Sequence, residues 1–207
     1  MLALLIVDLQ NEFSPLGLRA VPNHDSALSR IGDWVNKARE RKLPIAWVKH
    51  YNRPNESRAF VPGTWGAELS PGMGPEDGFG HERLFEKDVY GAFTNTGLEA
   101  WLRSLGVAEL LIAGFFAHMC LSTSAREALV RGFEVHIDPE ATGARDLYDD
   151  VLGSQSADEV RRSALLQLLN MGAHLVTSDS HFGLVPAVNS LDPALPTERS
   201  QPGITTE

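Results

Sequence analysis

Short runs of aliphatic residues alternate along the chain with stretches whose apolar residues recur at helical spacing. The aliphatic runs predict six buried strands, at residues 2–7, 45–48, 83–86, 109–113, 133–137 and 173–176. The stretches between them predict helices at residues 26–41, 96–104, 120–131 and 156–171. Such an alternation is typical of an α/β protein, and we expect one domain over residues 1–207, a three-layer α/β/α sandwich around a mainly parallel six-stranded sheet.

Two hydroxyl-to-glutamate spacings mark the expected starts of helices. Thr96-Gly-Leu-Glu99 and Ser156-Ala-Asp-Glu159 both fit the capping box. In that motif the hydroxyl and the carboxylate each satisfy a backbone group that the helix leaves free. We therefore expect both segments to be capped by their own side chains.

Two segments lack a regular pattern. Residues 52–80 are rich in glycine and proline but contain several large aromatic residues, which indicates a long functional loop more than a linker. The tail from Gly183 contains four prolines and no periodicity, and we expect an irregular arm that packs on a neighbouring subunit.

Composition narrows the class of protein. The chain is 43% apolar and 22% charged, as ordinary globular proteins are. Its net charge of −9 argues against nucleic acid as a partner, because phosphate backbones require local positive charge. The apolar run at the amino terminus ends at Asp8, too short to cross a membrane, and we expect a cytoplasmic protein. The single cysteine, Cys120, excludes an intramolecular disulfide.

Three chemically reactive residues follow predicted strands. Asp8 comes directly after the first strand, Lys87 after the third, and Cys120 lies beyond the fourth at the start of a helix. Parallel sheets bind ligands at these carboxyl ends. At a helix start, free N–H groups and the helix dipole lower the pKa of a thiol and favour the thiolate. A thiol nucleophile, a proton acceptor and a cation suffice for acyl transfer from an amide-type carbonyl.

Other interpretations of the same residues remain open. A lone cysteine is often a small buried apolar residue, and a lysine is often a solvated charge. A non-catalytic small-molecule-binding or thiol redox-sensing protein is therefore the alternative of another class. The absence of a second cysteine argues against disulfide-based sensing within one chain. A dinucleotide-binding protein is excluded, because no Gly-x-Gly-x-x-Gly follows the first strand.

Three sequence blocks carry a family resemblance. They are Leu5-Ile-Val-Asp-Leu-Gln-Asn-Glu-Phe13, Lys87-Asp-Val-Tyr-Gly-Ala-Phe-Thr-Asn-Thr96 and Gly114-Phe-Phe-Ala-His-Met-Cys-Leu-Ser-Thr-Ser-Ala125. In order and spacing they resemble the signature blocks of the isochorismatase-like cysteine hydrolases. The similarity extends over about residues 2–177.

The resemblance implies a role for each matched position. Asp8, Lys87 and Cys120 would form the catalytic triad, with a thioester intermediate on the cysteine. The family also has a cis peptide before the nucleophile, which here would join Phe115 and Phe116. The N–H groups of Phe116 and Cys120 would then form the oxyanion hole.

Departures from the family pattern bear on the substrate. Members that hydrolyse nicotinamide usually have an Asp-x-His pair and a second histidine after strand two, which bind a metal. Here that stretch is Val48-Lys49-His50, with no further histidine before His81, so we expect no metal and no cofactor. Members that cleave a vinyl ether usually lack the cysteine. Hydrolysis of a small amide, ureido or carbamoyl compound is therefore favoured, with ether hydrolysis or nicotinamide deamidation as alternatives.

Aromatic residues near the three blocks are candidates for the substrate pocket. Phe13 and Phe116 are expected to form an apolar wall around a small substrate, because both adjoin strand ends of the triad. Trp65, in the long loop, is a further candidate. His118 is interpreted as a pocket-lining or capping residue. We expect a small-molecule substrate and a homo-oligomer.

Overall fold

A computed structural model of the chain describes residues 1–53, 55–76 and 81–176. It has eight strands: β1 (Leu2–Val7), β2 (Ile45–His50), β3 (Glu82–Lys87), β4 (Glu109–Gly114), β5 (Glu134–Thr142), β6 (Leu147–Asp149), β7 (Gly153–Gln155) and β8 (His174–Leu175). Six of them form one sheet in the order β3-β2-β1-β4-β5-β8. Every pairing in that sheet is parallel.

The helices cover both faces of this sheet. They are α1 (His24–Glu40), α2 (Leu98–Ser104), α3 (Cys120–Val130) and α4 (Ala157–Asn170). Alternate residues of β1 belong to two separate apolar clusters. Leu4 and Ile6 pack in the cluster that contains α1, whereas Leu5 and Val7 pack in the cluster that contains α2, α3 and part of α4. The predicted three-layer α/β/α sandwich and its six-stranded parallel sheet are confirmed.

The direction of strand order reverses at the centre of the sheet. From β1 the chain adds β2 and β3 on one side, and then returns to add β4 on the other side of β1. The carboxyl ends of β1 and β4 therefore diverge into connections on opposite faces and leave a crevice between them. Ligands of open α/β sheets bind at such a switch point.

The long loop after β2 is folded back onto the first sequence block. The Gln10 amide donates to the His50 carbonyl (2.9 Å) and to the Ala67 carbonyl (2.8 Å). The buried Glu12 carboxylate accepts from the N–H groups of Leu18 (2.8 Å) and Phe60 (3.2 Å). The bonds to Phe60 and Ala67 hold the described part of this loop, residues 55–76, beside the strand ends.

One of the two expected capping boxes forms. Ser156 and Glu159 exchange the reciprocal hydrogen bonds at the start of α4, as predicted. At α2 the expected capping box does not form, because the residue before the helix is Gly97, with a φ of 75°, although the Thr96 hydroxyl accepts from the Leu98 N–H (3.3 Å). Glu99 instead bonds Arg131 (3.0 Å), and this tertiary ion pair replaces the local motif.

Some elements had no clear sequence signal. Strand β5 runs on to Thr142 after a register shift against β4, beyond the predicted end at residue 137. The β6–β7 hairpin was not predicted, since its short strands are largely exposed and lack alternating apolar residues. The predicted tail from residue 183 lies outside the described residues. Among the helices that are described, none combines the length and apolarity needed to cross a membrane.

Candidate active site

Asp8, Lys87 and Cys120 meet at the crevice beside β1. The Lys87 ammonium donates to Asp8 Oδ2 at 2.8 Å, and both side chains have no exposed surface. The Cys120 sulfur, an Asp8 carboxylate oxygen and a His50 ring nitrogen all lie within 4.8 Å of one another. Residues separated by more than a hundred positions in the chain are thus brought into one buried cluster.

The second Asp8 oxygen is differently placed. Asp8 Oδ1 is buried, and none of the described residues gives it a hydrogen bond of standard geometry. A buried carboxylate oxygen normally has a partner, because leaving it unpaired costs free energy. Lys87 therefore fixes one oxygen of Asp8, and the other has no standard hydrogen bond that would compete with its use as a proton acceptor.

The protonation state of Cys120 differs from the sequence-based expectation. Burial raises the pKa of the Cys120 thiol, the Asp8 carboxylate raises it further, and Lys87 only partly opposes them. The predicted lowering of the pKa at a helix start was therefore wrong, because burial and the neighbouring Asp8 carboxylate both raise it. Cys120 rests as a thiol, and a base must remove its proton before it can attack.

His50, at the end of β2, completes the surroundings of Lys87. Its Nδ1 accepts from the Lys87 ammonium (3.3 Å), so the proton is on Nε2, which donates to Asn52 Oδ1 (3.0 Å). Burial and the Lys87 charge lower the pKa of His50 and keep its ring neutral. For Lys87 itself, burial alone would lower the pKa, but Asp8 and Cys120 outweigh it and the pKa is raised. In the sequence, His50 matches only part of a metal-binding pattern, but its place at a strand end also marks it as a candidate site residue.

The turn between β4 and α3 presents two free backbone donors. The Phe115–Phe116 peptide is cis, as the family resemblance implies. The Phe116 carbonyl accepts from the N–H groups of Met119 (3.0 Å) and Leu121 (3.2 Å). Within the described residues, the N–H groups of Phe116 and Cys120 have no acceptor. Unpaired N–H groups beside a nucleophile suit the stabilisation of an oxyanion.

Two glycines allow this turn to pack closely. A Cβ on Gly114, whose φ is 120°, would lie 2.0 Å from the Val7 carbonyl oxygen. A Cβ on Gly143 would lie 2.4 Å from Val21 and 3.0 Å from the Phe115 ring. The end of β4 can therefore approach β1, and the segment after β5 can approach Val21 and Phe115, only because these positions lack a side chain.

Helix α3 also holds the segment that follows Lys87. Ser124 is fully buried, donates to the Cys120 carbonyl (2.7 Å) and accepts from the Ala92 N–H (3.0 Å). One turn further on, the Glu127 carboxylate accepts from the Phe93 N–H (2.9 Å) and the Thr94 hydroxyl (2.5 Å). The helix that bears the candidate nucleophile thus fixes the loop after the lysine, a link that no sequence motif indicated.

The candidate pocket aromatics separate into two groups. Phe13 and Phe116 are in edge-to-face contact, with ring centroids 4.8 Å apart, and Phe13 also packs against Phe60 and Phe115. The Trp65 ring, in contrast, is 53% exposed on a short turn in the long loop. Phe116 is in the turn that leads to Cys120. Contact of Phe13, Phe116 or Trp65 with a substrate stays a prediction.

His118 lies beside Phe116, with ring centroids 5.1 Å apart. Both of its ring nitrogens are buried and have no partner among the described residues, so it does not cap α3. Burial and, to a lesser degree, the Arg145 charge lower the pKa of His118 to about 4. The ring is neutral at pH 7 and has one donor and one acceptor nitrogen, both without a partner among the described residues.

The His118 ring makes stability depend on pH in a defined window. Unfolded protein binds a proton at this ring below pH about 6.5, whereas folded protein does so only near pH 4. The stabilisation is therefore complete above pH 6.5 and is lost as the pH falls towards 4. We expect the free energy of unfolding, measured with urea between these pH values, to fall less steeply in His118→Gln than in the native protein. The matched control is His81→Gln, at an exposed position, which should keep the native slope.

The cluster of Asp8, His50 and Cys120 has the donor types of a metal site. However, the Lys87 ammonium bonds both Asp8 and His50 and so fills the place of a cation between them. After β2, the His50 ring bonds Asn52 and does not form part of a two-histidine set. These residues fit an ammonium better than a metal ion, and the expected independence from metal stays a prediction.

Proteins of similar sequence include named hydrolases. Nicotinamidase 3 of Arabidopsis thaliana is 27% identical over 187 residues, which cover 86% of this chain and 85% of that protein. Streptothricin hydrolase of Streptomyces noursei is 33% identical over 146 residues, which cover 70% of this chain and 55% of that protein. Both relatives are hydrolases by name.

A solved structure and a family model extend the comparison to the fold. The crystal structure of an isochorismatase from Pseudomonas putida KT2440 has a TM-score of 0.76 at 28% identity and covers 84% of this chain and 87% of that chain. Residues 2–180 match the model of the isochorismatase domain, and this range contains all three sequence blocks and every strand of the sheet. The chain therefore belongs to the isochorismatase family of hydrolases.

Proposed function

We propose that this hydrolase cleaves the C–N bond of a small amide, ureido or carbamoyl compound through a thioester on Cys120. One observation carries the proposal. Lys87 engages one oxygen of the buried Asp8 carboxylate, and a carboxylate oxygen of Asp8 lies within 4.8 Å of a thiol whose pKa is raised. That arrangement supports a carboxylate that acts as the base for a thiol nucleophile.

In the first half-reaction the sulfur attacks the substrate carbonyl carbon while Asp8 takes the thiol proton. The carbonyl electron pair moves onto oxygen, where the N–H groups of Phe116 and Cys120 stabilise the oxyanion. As the intermediate collapses, the C–N bond breaks and Asp8 returns the proton to the leaving nitrogen. The products of this half are ammonia or an amine and an acyl thioester.

Water completes the reaction. Asp8, again ionised, accepts a proton from the attacking water, and the oxyanion forms at the same N–H groups. Collapse of the second intermediate breaks the C–S bond, and the proton held by Asp8 returns to the sulfur. The sum is one amide and one water converted to one acid and one amine, with the thiol and carboxylate restored.

The relatives support the same bond type. A nicotinamidase by its name acts on an amide, and it covers most of this chain.

The surroundings of Cys120 also weigh against the redox-sensing alternative, because the residue is 7% exposed and its pKa is raised. Peroxide reacts with accessible thiolates. The cytoplasmic location and the homo-oligomer stay predictions.

The proposal is tested by trapping the intermediate. Protein incubated with a panel of small amides, ureides and carbamoyl compounds should release ammonia, and acid quenching should preserve an acyl adduct on the peptide that contains Cys120. Hydroxylamine should divert that adduct to a hydroxamate, because it attacks thioesters faster than water does. Mass spectrometry reads both products. A chelator should leave the rate unchanged.

Two results would contradict the proposal. Ammonia release with neither an adduct nor a hydroxamate would exclude the thioester. Release of pyruvate from a vinyl ether, with no turnover of any C–N compound, would favour the ether-hydrolysing alternative.

A further inference from the structure

Two glutamates and a histidine lie together where β4 and β5 begin. Glu109 and Glu134 are register partners on these neighbouring strands, and His136 lies two residues further along β5, on the same face of the sheet. Ligand atoms of the three side chains all lie within 4.8 Å of one another, and His136 Nε2 is 3.3 Å from Glu134 Oε1. Three side chains that bind metals well are thus gathered at one place.

This place is at the edge of the sheet opposite the candidate active site. Asp8 and Lys87 lie at the carboxyl ends of their strands, whereas Glu109 and Glu134 are the first residues of theirs. All strands of the sheet are parallel, so these ends form opposite edges. A cation bound here would therefore take no part in the proposed hydrolysis, and the lack of a metal-binding pattern after β2 does not bear on it.

The two carboxylates lack a basic side chain that would balance them. Like charges on facing positions of neighbouring strands destabilise a sheet. Among the described residues, no lysine or arginine forms an ion pair with Glu109 or Glu134. In a chain of net charge −9, a cation from solution is attracted to such a pair and relieves the repulsion.

Histidines beside the carboxylates indicate which cation fits. The His136 side chain is only 9% exposed, so its position is defined by the surrounding residues. Its register partner on β8 is His174, an exposed residue whose ring centroid is 5.5 Å from that of His136. Imidazole nitrogens combined with carboxylate oxygens suit Zn²⁺, whereas Ca²⁺ and Mg²⁺ prefer oxygen ligands alone.

The backbone fixes the strand starts from which the ligands extend. The Glu109 N–H donates to the Met1 carbonyl at 3.3 Å. The Glu134 N–H donates to the Ala108 carbonyl at 2.9 Å. A site built on bonded strands keeps its ligands in place better than a site on loops does.

We propose that Glu109, Glu134 and His136 bind a zinc ion, with His174 as the fourth ligand after its exposed side chain turns towards them. The ion joins three neighbouring strands and fixes β8, a two-residue strand at the edge of the sheet. Its role is structural, and the inference does not depend on the proposed hydrolysis.

Zinc chloride added to metal-free protein provides the test, at pH 8, where imidazole ligands are neutral. Calorimetry should show one zinc ion bound per chain. Glu134→Gln and His136→Gln should each weaken the Kd about 100-fold or more, since even a residue that only supports a metal ligand contributes about 10- to 100-fold. His174→Gln should weaken it about 10-fold. The matched control is Glu140→Gln, which replaces an exposed glutamate of the same strand and should bind zinc as native protein does.

Thermal unfolding gives a second measurement, in which the effect of one variant should change sign. Without metal, Glu109→Gln removes one of two neighbouring like charges and should unfold at a higher temperature than native protein. With saturating zinc it should unfold at a lower temperature than native protein, because it has lost a ligand. A role of Glu109 in packing alone would give the same sign in both conditions.

A second cluster with metal-binding side chains requires its own control. Cys120→Ala removes a ligand from the cluster of Asp8, His50 and Cys120 and should bind zinc as native protein does. If His136→Gln does not fold, the more exposed Glu109 and Glu134 give the same comparison.

Three results would overturn the zinc site. Native protein may take up no zinc at micromolar free metal, or the Kd may be unchanged in Glu109→Gln, Glu134→Gln and His136→Gln. Loss of zinc binding in Cys120→Ala alone would assign the ion to the other cluster. None of these results affects the proposed function, which is judged by amide turnover and the acyl adduct.

Discussion

Replacement of Cys120 by alanine is expected to reduce amide turnover to the background rate, a loss on the order of 10⁴- to 10⁶-fold in kcat. The reason is that no other cysteine occurs in the chain, so no second thiol can form the acyl intermediate. Cys120→Ser should also be inactive, because a hydroxyl is harder to ionise than a thiol, so Asp8 cannot remove its proton as readily. Initial rates of ammonia release, measured at saturating substrate, give the comparison.

The fold should survive both substitutions. Cys120 is small and packs in the apolar cluster between the sheet and α3, so alanine leaves little empty space. Thr123→Ala, one turn further along the same helix, is the matched control and should keep native turnover. Turnover by Cys120→Ala within about tenfold of native protein would exclude the covalent route, since loss of a nucleophile costs far more than this.

The buried pair of Asp8 and Lys87 gives the second large effect. Asp8→Asn should abolish turnover and cost about 3–5 kcal/mol of stability, because it leaves the Lys87 ammonium buried without a counter-charge. Lys87→Met should also abolish turnover and lower stability, because it leaves the Asp8 carboxylate buried without a counter-charge. The double variant, however, removes both charges at once and should recover much of the lost stability, because neutral replacement of a whole buried pair is often tolerated.

The double variant distinguishes the effect on activity from the effect on stability. The double variant should be stable and inactive, as shown by urea unfolding and ammonia release on the same preparations. Arg53→Gln breaks the exposed ion pair with Asp88 (2.9 Å) and is expected to change stability little, since water screens such pairs. If the double variant loses as much unfolding free energy as the two single variants together, the two charges are not coupled. If Asp8→Asn keeps native turnover, Asp8 is not the base.

The sequence alone determined the architecture of this protein. Strand β1 contains six residues that are all apolar, and a strand buried on both faces permits little else. Local rules succeeded where the interactions are local, as at Ser156 and Glu159, whose capping box spans four residues. They failed at Thr96, because α2 begins one residue later, after Gly97, and Glu99 pairs with Arg131, which is distant in sequence.

The candidate triad could also be predicted from the sequence, because the carboxyl ends of parallel strands meet at one edge of the sheet. Asp8, Lys87 and Cys120 could be grouped by that rule before any distance was known. The same rule would have added His50, which ends β2 and bonds the Lys87 ammonium. The sequence pattern connects its imidazole only with metal binding, and its bond to the Lys87 ammonium depends on the pairing of two neighbouring strands.

Only the tertiary structure decided the electrostatics of the site. The helix start predicts a lowered pKa for Cys120, whereas burial and the Asp8 carboxylate raise it. Arg145 has no signal in the sequence, yet the pairing of β5 with β4 brings it over Phe116. The physical reason is the same in both cases: a residue's type is written in the sequence, but its solvation and its charged neighbours depend on segments that only the folded chain brings together.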